Sequence, residues 1–263
     1  MPATDLPLLI DAARLAAKVS TSFSGTRAER WEKPGDAGPV TEADLAVDRL
    51  LRDVLTTARP GYGWLSEESG DATHRSGHER IFIIDPIDGT RSFVEGADTW
   101  AHALAVAERG VVTAAVIYLP LRELLYSAAL GQGAWLNGVP IRASGIDAFD
   151  RATVLAAKPA LDGTLWRGGA APSFKRAYRP SLAYRLGLVA EARFDAMLTL
   201  RRSWEWDIAA GALIVEEAGG RCSNRHGAPL LFNNTDPRLD GVVAGGAALH
   251  GAMIDALEPV PAA

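Results

Sequence analysis

A chain of 263 residues with 48% hydrophobic and 22% charged residues has the composition of a globular protein and can bury a substantial core. Its formal net charge of −5 gives no reason to expect a nucleic acid polymer or an anionic membrane as a partner. The single cysteine, Cys222, excludes an internal disulfide, and no segment is apolar for the roughly 18 residues that a membrane span needs.

Hydrophobic periodicity and turn residues divide the chain into alternating helices and strands. The N-terminal residues 1–18 carry Asp5 and Asp11 and have no unbroken apolar run, so we expect no signal peptide. With a single cysteine, the cytoplasm is the expected compartment. The elements predicted for the first half are a helix over 6–22, a mobile loop over 25–39, a helix over 41–58 capped by Thr41, a strand over 62–65, a loop over 70–79, a strand over 81–84, and an antiparallel meander over 101–107, 111–118 and 123–127.

The pattern changes after residue 144. The elements predicted for the second half are a strand over 152–156, a polar loop over 160–179, a helix over 181–192, a strand over 194–200, a helix over 207–217 ended by Gly219, a strand over 241–244 and a helix over 247–257. We therefore divide the chain into an N-terminal half, 1–144, and a C-terminal half, 145–263.

The segment with the clearest chemistry is Asp85-Pro86-Ile87-Asp88-Gly89-Thr90, which follows the apolar run 81–84. Two carboxylates three residues apart at the end of a buried strand form a compact set of oxygen ligands, which hard divalent cations prefer. Gly89 and Thr90 can present backbone N–H groups to an anion. A strand that simply ends in a turn would look the same, because Asp-Pro and Asp-Gly are common turn dipeptides.

Four acidic elements lie at the ends of predicted helices and strands: Asp44, Glu67 with Glu68, Asp85 with Asp88, and Asp207. Each has an ordinary alternative explanation when taken alone. Asp207 could cap a helix, Asp44 could complement a helix dipole, and Glu67 with Glu68 could be a solvated loop pair. Their order along the chain favours a common site.

The chain resembles the inositol monophosphatase-like superfamily of magnesium-dependent, lithium-sensitive phosphatases. The resemblance extends from about residue 6 to 246 and depends on Thr-x-x-Asp at 41–44, Ser-Glu-Glu-Ser at 66–69, Asp-Pro-Ile-Asp-Gly-Thr at 85–90 and Trp-Asp-Ile-Ala-Ala-Gly at 206–211. It implies an α/β (α+β) fold, a layered α/β/α/β/α sandwich. In that fold the first half holds a large antiparallel sheet with the metal loop, and the second half holds a smaller mixed sheet with the Asp207 helix.

The same resemblance implies a site with two or three Mg²⁺ ions. Metal ligands would be Glu67, Asp85, the carbonyl of Ile87, Asp88 and Asp207, with Asp85 shared between two ions. The catalytic residues would be Asp44, Glu67 and Thr90: Thr90 and Glu67 would orient the attacking water, with Asp44 in support behind them. Substrate contacts would come from Ile87, Asp88, Gly89, Thr90, Arg91 and Asp207. Ala209-Ala210-Gly211 would keep the Asp207 helix thin enough to approach the metal loop.

Three local features resemble the 3'(2'),5'-bisphosphate nucleotidase branch (CysQ type) more than other members: Ser66 before Glu67, Arg91 after Thr90, and Glu205 before Trp206. They predict hydrolysis of adenosine 3',5'-bisphosphate to AMP. A basic residue beside the reacting phosphate suits a doubly phosphorylated ligand. We suggest Lys158 and Arg179 as contacts to the second phosphate.

Other assignments stay open from the sequence. Inositol 1-phosphate and histidinol phosphate are alternative substrates, since Asp-Pro-Ile-Asp-Gly-Thr-Arg also occurs in histidinol-phosphate phosphatases. Pro180-Ser181-Leu182 departs from the Gly-Ser pair that often opens the substrate-side helix. A catalytically silent relative that binds a partner is the non-enzyme alternative, although every acidic residue of the motifs is present. A homodimer is also left open.

Overall fold

The computed structural model describes residues 5–23, 26–33, 38–69, 75 and 77–259. The helices are α1 (Asp5–Ser20), α2 (Glu42–Ala58), α3 (Thr90–Val94), α4 (Leu182–Ala190), α5 (Glu205–Glu217) and α6 (Ala247–Ala256). The strands are β1 (Arg30–Glu32), β2 (Pro39–Thr41), β3 (Gly63–Ser66), β4 (Arg80–Asp88), β5 (Ala101–Glu108), β6 (Val111–Leu119), β7 (Leu124–Ala129), β8 (Ala134–Leu136), β9 (Val139–Ile141), β10 (Thr153–Ala156), β11 (Lys175–Ala177), β12 (Ala196–Trp204), β13 (Gly220–Ser223) and β14 (Arg238–Gly246).

The larger sheet has seven strands in the order β3-β4-β5-β6-β7-β8-β9. The predicted meander of β5, β6 and β7 is confirmed, because these strands pair antiparallel with their neighbours. The expectation of a wholly antiparallel sheet is wrong, since β3 pairs parallel with β4. Much of the connection between β3 and β4 is the predicted loop over 70–79, of which 70–74 and 76 lie outside the described residues.

The smaller sheet has five strands in the order β11-β10-β12-β14-β13 and is mixed, as expected. The strand β10 pairs parallel with both β11 and β12, whereas β14 pairs antiparallel with β12 and β13. Two predicted loops contain further structure. The segment over 160–179 holds β11 and short 3-10 turns, and the segment over 25–39 holds most of the β1–β2 hairpin. Both were missed because β1 and β11 are short edge strands without an alternating apolar pattern.

The strands of both sheets place alternate side chains on opposite faces, so apolar clusters form on both faces of each sheet. Phe82 and Ile84 of β4 pack with α1 and α2 on the outer face of the large sheet. Ile83 faces the other way and packs with α4 and α5, which fill the space between the two sheets. Val243 of β14 packs with α6 on the outer face of the small sheet. The layer order is therefore α/β/α/β/α, as predicted.

The helices α4 and α5 contribute to a core that contains residues from both sheets, including Ile83 of the first half and Met197 of the second. Because this core contains residues of both halves, it does not separate them into two domains, and the division at residue 144 stays a prediction. Within the described residues, none of the helices combines the length and apolar character that crossing a bilayer requires.

The glycine in α5 serves helix packing. A Cβ at Gly211 would lie 2.4 Å from the Cβ of Leu186 in α4, a distance at which one of the two helices must shift. The sequence prediction assigned Ala209-Ala210-Gly211 to the approach of α5 to the metal loop, and for Gly211 the structure shows α4 as the neighbour instead. What Gly211 permits is the close approach of α5 to α4, the two helices that lie between the sheets.

Replacing Gly211 by alanine should lower the free energy of unfolding by about 1–3 kcal/mol, because overpacking between α4 and α5 outweighs the better helix propensity of alanine. The matched control is Gly251→Ala in α6, where nothing lies within 4 Å of the added Cβ. That variant should be more stable than the wild type by about 0.5–1 kcal/mol. Urea unfolding of both proteins measures the difference, and a Gly211→Ala protein as stable as the wild type would contradict the packing argument.

Candidate metal and phosphate site

The metal loop is formed where β4 loses its regular pairing with β5. Asp85 pairs with Ala103, but the next pair is Asp88 with Ala101, so two residues of β4 lie opposite a single residue of β5. Gly89 then turns the chain with φ of +95°, and α3 begins at Thr90. A side chain at Gly89 would be strained by this φ, and its Cβ would approach the Cβ of Ser181 to 3.3 Å. The bulge and the turn bring both aspartates to the same end of the strand.

Asp85 and Asp88 meet Asp207 from the first turn of α5. Each of the three residues offers a carboxylate oxygen, and these oxygens all lie within 4.8 Å of one another. Asp85 and Asp88 are buried and Asp207 is half-buried. Because burial and like charges both disfavour ionised carboxylates, such a cluster needs a compensating positive charge.

The chemistry of this cluster fits a hard divalent cation. Oδ1 of Asp85 is buried and has no hydrogen-bond partner among the described residues. The pKa of Asp85 is raised well above its ordinary value by burial and then by the charges of Glu67, Asp88 and Asp207. The pKa of Asp207 is raised for the same reasons, burial first. An unpaired buried oxygen among three carboxylates is a suitable ligand for Mg²⁺.

The second half of the chain holds Asp88 in place. Oδ2 of Asp88 accepts hydrogen bonds from the hydroxyl of Ser181 at 2.7 Å and from the backbone N–H of Ala183 at 2.6 Å. Ser181 also caps α4 by accepting the N–H of Tyr184, and its φ of +49° is unusual for a residue with a side chain. The sequence motifs assign Ser181 no part in the metal site. The start of α4 orients one oxygen of Asp88 and leaves the other for a ligand.

Glu67 lines the same cleft as Asp88 and Asp207, but it is not part of the three-carboxylate cluster found among the described residues. Its Oε1 is 2.7 Å from Nζ of Lys33, which also contacts Oε1 of Glu68 at 2.8 Å. Burial lowers the pKa of Lys33, but the two carboxylates outweigh burial and raise it overall. Burial and then the charge of Glu67 raise the pKa of Glu68 to about 7. Lys33, which the sequence analysis did not identify, therefore supplies positive charge beside Glu67.

The turn that carries Glu67 is attached to α2 by two serines. Ser66 donates to Oδ1 of Asp48 at 2.5 Å, and Ser69 donates to Oδ2 of the same residue at 2.9 Å. Asp48 and Ser66 are buried. The contact gives the serine before Glu67 a structural partner in α2.

Thr90 and Asp44 lie next to each other behind the metal loop. The hydroxyl of Thr90 is 3.3 Å from Oδ1 of Asp44 and 3.2 Å from the carbonyl oxygen of Ile87. Oδ2 of Asp44 accepts from the N–H of Thr41 at 2.8 Å and from its hydroxyl at 2.5 Å. Burial raises the pKa of Asp44 to about 6, although the hydrogen bonds from Thr41 lower it. Thr41 is thus confirmed as the N-cap of α2, in a capping box with Asp44.

These groups open into a cleft of about 480 Å³ between the halves. The predicted site residues on its wall are Glu67, Asp88, Gly89, Thr90, Arg91 and Asp207. The second half adds Arg185 and Arg201 together with Tyr178. Lys158 and Arg179, suggested as contacts to a second phosphate, are not on this wall. The guanidinium of Arg179 lies instead over the ring of Phe194, 5.3 Å from its centroid.

Glu205 is buried and turned toward the loop before β14. It accepts hydrogen bonds from the N–H groups of Asn233 and Asn234 at 2.6 and 2.9 Å, and from the side-chain amide of Asn234 at 2.7 Å. It therefore anchors this loop against the start of α5. Two of the three features that resembled the nucleotidase branch, Ser66 and Glu205, have structural partners, and Arg91 is the one that lies on the cleft.

Residues 4–261 match the model of the inositol monophosphatase family. The chain is 31% identical to a histidinol-phosphatase of Chlorobaculum parvum, with 96% of each protein covered. It is 30% identical to an inositol-1-monophosphatase of Mesorhizobium japonicum, again with 96% of each covered. An IMPase structure from Thermotoga maritima superposes with a TM-score of 0.82 at 26% identity, covering 97% of this chain and 96% of the other. The chain therefore belongs to the inositol monophosphatase family and is a phosphatase that acts on small phosphorylated substrates.

Proposed function

We propose that this phosphatase uses Mg²⁺ bound by Glu67, Asp85, the carbonyl of Ile87, Asp88 and Asp207. The observation that carries the proposal is the meeting of Asp85, Asp88 and Asp207, with the unpaired Oδ1 of Asp85, at a cleft large enough for a small ester. When bound there, Mg²⁺ would act as a Lewis acid and lower the pKa of a bound water. Inhibition by Li⁺, a cytoplasmic location and a homodimer belong to the same proposal and rest on the family resemblance.

The protein's own groups would position the attacking water and the phosphate. The hydroxyl of Thr90 can donate its proton to Asp44 while its lone pairs accept a hydrogen bond from the water. Glu67, held by Lys33, would be the second acceptor for that water. The backbone N–H groups of Gly89 and Thr90 precede the hydrogen-bonded part of α3 and are available to phosphate oxygens.

For the substrate we propose adenosine 3',5'-bisphosphate, hydrolysed at the 3' position to AMP. The support is the charge on the cleft wall, where Arg91, Arg185 and Arg201 are present together. A second phosphate that leaves water needs charged hydrogen-bond donors, which guanidinium groups provide. Inositol 1-phosphate is the alternative and would need the same metal loop but fewer arginines. Histidinol phosphate carries a cationic amine, which three arginines would repel.

The test is phosphate release by the purified protein from four esters: adenosine 3',5'-bisphosphate, inositol 1-phosphate, histidinol phosphate and fructose 1,6-bisphosphate. All release should depend on Mg²⁺ and stop with EDTA. We expect kcat/KM for the nucleotide to exceed that for inositol 1-phosphate by at least about tenfold, the scale of one charge-assisted hydrogen bond. Equal or higher kcat/KM for inositol 1-phosphate would replace the nucleotidase assignment with the inositol phosphatase one. No release from any of them would favour the catalytically silent relative.

Arg201→Ala should lower kcat/KM for the bisphosphate by about 10- to 100-fold and change that for inositol 1-phosphate much less, because only the former has a second phosphate to lose. Arg202→Ala is the matched control. Arg202 is the next residue, is also exposed, does not line the cleft and pairs with Asp236 at 2.8 Å. Steady-state kinetics on both substrates compares the variants. If Arg201→Ala and Arg202→Ala behave alike, Arg201 does not contact the substrate.

A further inference from the structure

His102 is a fully buried histidine on β5, beside the bulge of the metal loop. Its Nδ1 is 2.5 Å from the carbonyl oxygen of Pro86, and its Nε2 is 3.0 Å from the hydroxyl of Ser20 at the end of α1. The ring of Trp100 packs edge-on against it, with centroids 5.5 Å apart. No role in metal or substrate binding follows for His102 from the motifs.

These contacts determine which nitrogen carries the proton. A carbonyl oxygen only accepts hydrogen bonds, so Nδ1 of His102 must donate to Pro86. Burial lowers the pKa of His102 to about 4, so the ring is neutral at neutral pH and Nε2 carries no proton. Nε2 can then accept from the hydroxyl of Ser20, which also lies 3.3 Å from the carbonyl oxygen of Ala17.

The contact with Pro86 lies at the point where the sheet itself gives no support. Between the pairs Asp85–Ala103 and Asp88–Ala101, β4 has two residues, Pro86 and Ile87, without a partner on β5. Pro86 has no N–H to offer, and its buried carbonyl needs a donor to avoid the cost of an unsatisfied group. His102, between Ala101 and Ala103 on β5, provides that donor.

Pro86 stands between Asp85 and Ile87, and its carbonyl belongs to the peptide unit that leads into Ile87. We propose that His102 is a positioning residue of the metal site, which fixes the Pro86–Ile87 peptide so that the carboxylate of Asp85 and the carbonyl of Ile87 point at the same place. The inference rests on the proposed metal-binding function of these groups. A histidine that serves only to fill the core would stabilise the fold without affecting the affinity for metal.

Three substitutions of His102 distinguish a positioning role in the metal site from a purely core-filling role. Asn carries an amide N–H close to the position of Nδ1, Gln reaches only the position of Nε2, and Leu has no donor. The measurement is calorimetric titration of each substrate-free protein with Mg²⁺, supported by thermal melting in EDTA. We expect His102→Asn to bind Mg²⁺ within about threefold of the wild-type Kd, and His102→Gln and His102→Leu to bind at least about tenfold more weakly.

The control is Ser20→Ala, which removes the partner of Nε2 and leaves the bond to Pro86. It should bind Mg²⁺ like the wild type. Wild-type affinity in His102→Gln or His102→Leu would overturn the proposal, and so would equal weakening in His102→Asn and His102→Gln. Loss of near-ultraviolet circular dichroism in all three His102 variants would also overturn it, because the role would then be one of folding.

The outcome is independent of the substrate assignment. If the wild type binds Mg²⁺ and the variants follow the expected order, the positioning role stands even when no ester is hydrolysed. If the wild type does not bind Mg²⁺ at all, the proposed metal site fails together with this inference. Ester hydrolysis that persists with EDTA would show that the enzyme works without the proposed metal site.

Discussion

Asp85→Asn should abolish Mg²⁺-dependent phosphate release while making the metal-free protein more resistant to heat. A carboxylate oxygen of Asp85 lies within 4.8 Å of one on each of the other two members of the cluster, and a neutral amide is a poor ligand for a hard cation. Losing several kcal/mol of charge stabilisation in the transition state corresponds to a rate loss of about 10³-fold or more. The same substitution removes a charge that burial and four neighbouring carboxylates make unfavourable in the absence of metal.

Two measurements check this result: kcat with saturating Mg²⁺, and the melting temperature in EDTA. The matched control is Asp11→Asn, an exposed aspartate on α1 that lies 4.0 Å from the guanidinium of Arg14. Neither quantity should change in the control, since exposed pairs of this kind contribute little. An Asp85→Asn protein that keeps more than about a tenth of the wild-type kcat would remove Asp85 from the proposed ligands.

Stabilisation by Mg²⁺ should increase with pH. Burial, and then neighbouring charges, raise the pKa of Asp85 and Asp207 above the value in the unfolded chain. Their contribution to stability is therefore fully present below the unfolded pKa and is lost as the pH rises through the folded pKa. Without metal, the folded state should therefore lose stability from acidic to alkaline pH as these groups ionise. Protons compete less with Mg²⁺ at the higher pH, so the metal restores more stability there.

Thermal melting across this pH range, with EDTA or with Mg²⁺, measures the effect. A ligand at 100 times its Kd stabilises the folded state by about 2.7 kcal/mol, which raises Tm by roughly 5–10 °C in a protein of this size. Asp85→Asn is the control, because its Tm in EDTA should fall less with pH and gain little from Mg²⁺. If the Mg²⁺-induced shift is the same at both ends of the range, proton competition at the buried carboxylates is excluded.

The sequence was sufficient for the features that depend on local order along the chain. The helices α1, α2, α5 and α6 follow from apolar periodicity and caps such as Thr41, and the Asp-Pro-Ile-Asp-Gly-Thr run specifies a strand that ends in a tight turn with acidic side chains. Short edge strands were missed, because β1 and β11 have no buried face to leave a pattern. The motif order also placed Asp207 with Asp85 and Asp88, which the geometry bears out.

The side-chain partners of the site were decided only by tertiary structure. Ser181 is 93 residues from Asp88, and Lys33 is 34 residues from Glu67. A local sequence pattern contains no information about contacts between residues so far apart in the chain. Glu205 is a further example. From the sequence, a glutamate before Trp206 could face a substrate or hold a loop, and only the structure shows that it holds the loop at Asn234. The sequence determines which residue types are available at each strand or helix end. The direction of each side chain depends on packing against elements that are distant in the chain, so it is determined only when the sheets and helices have assembled.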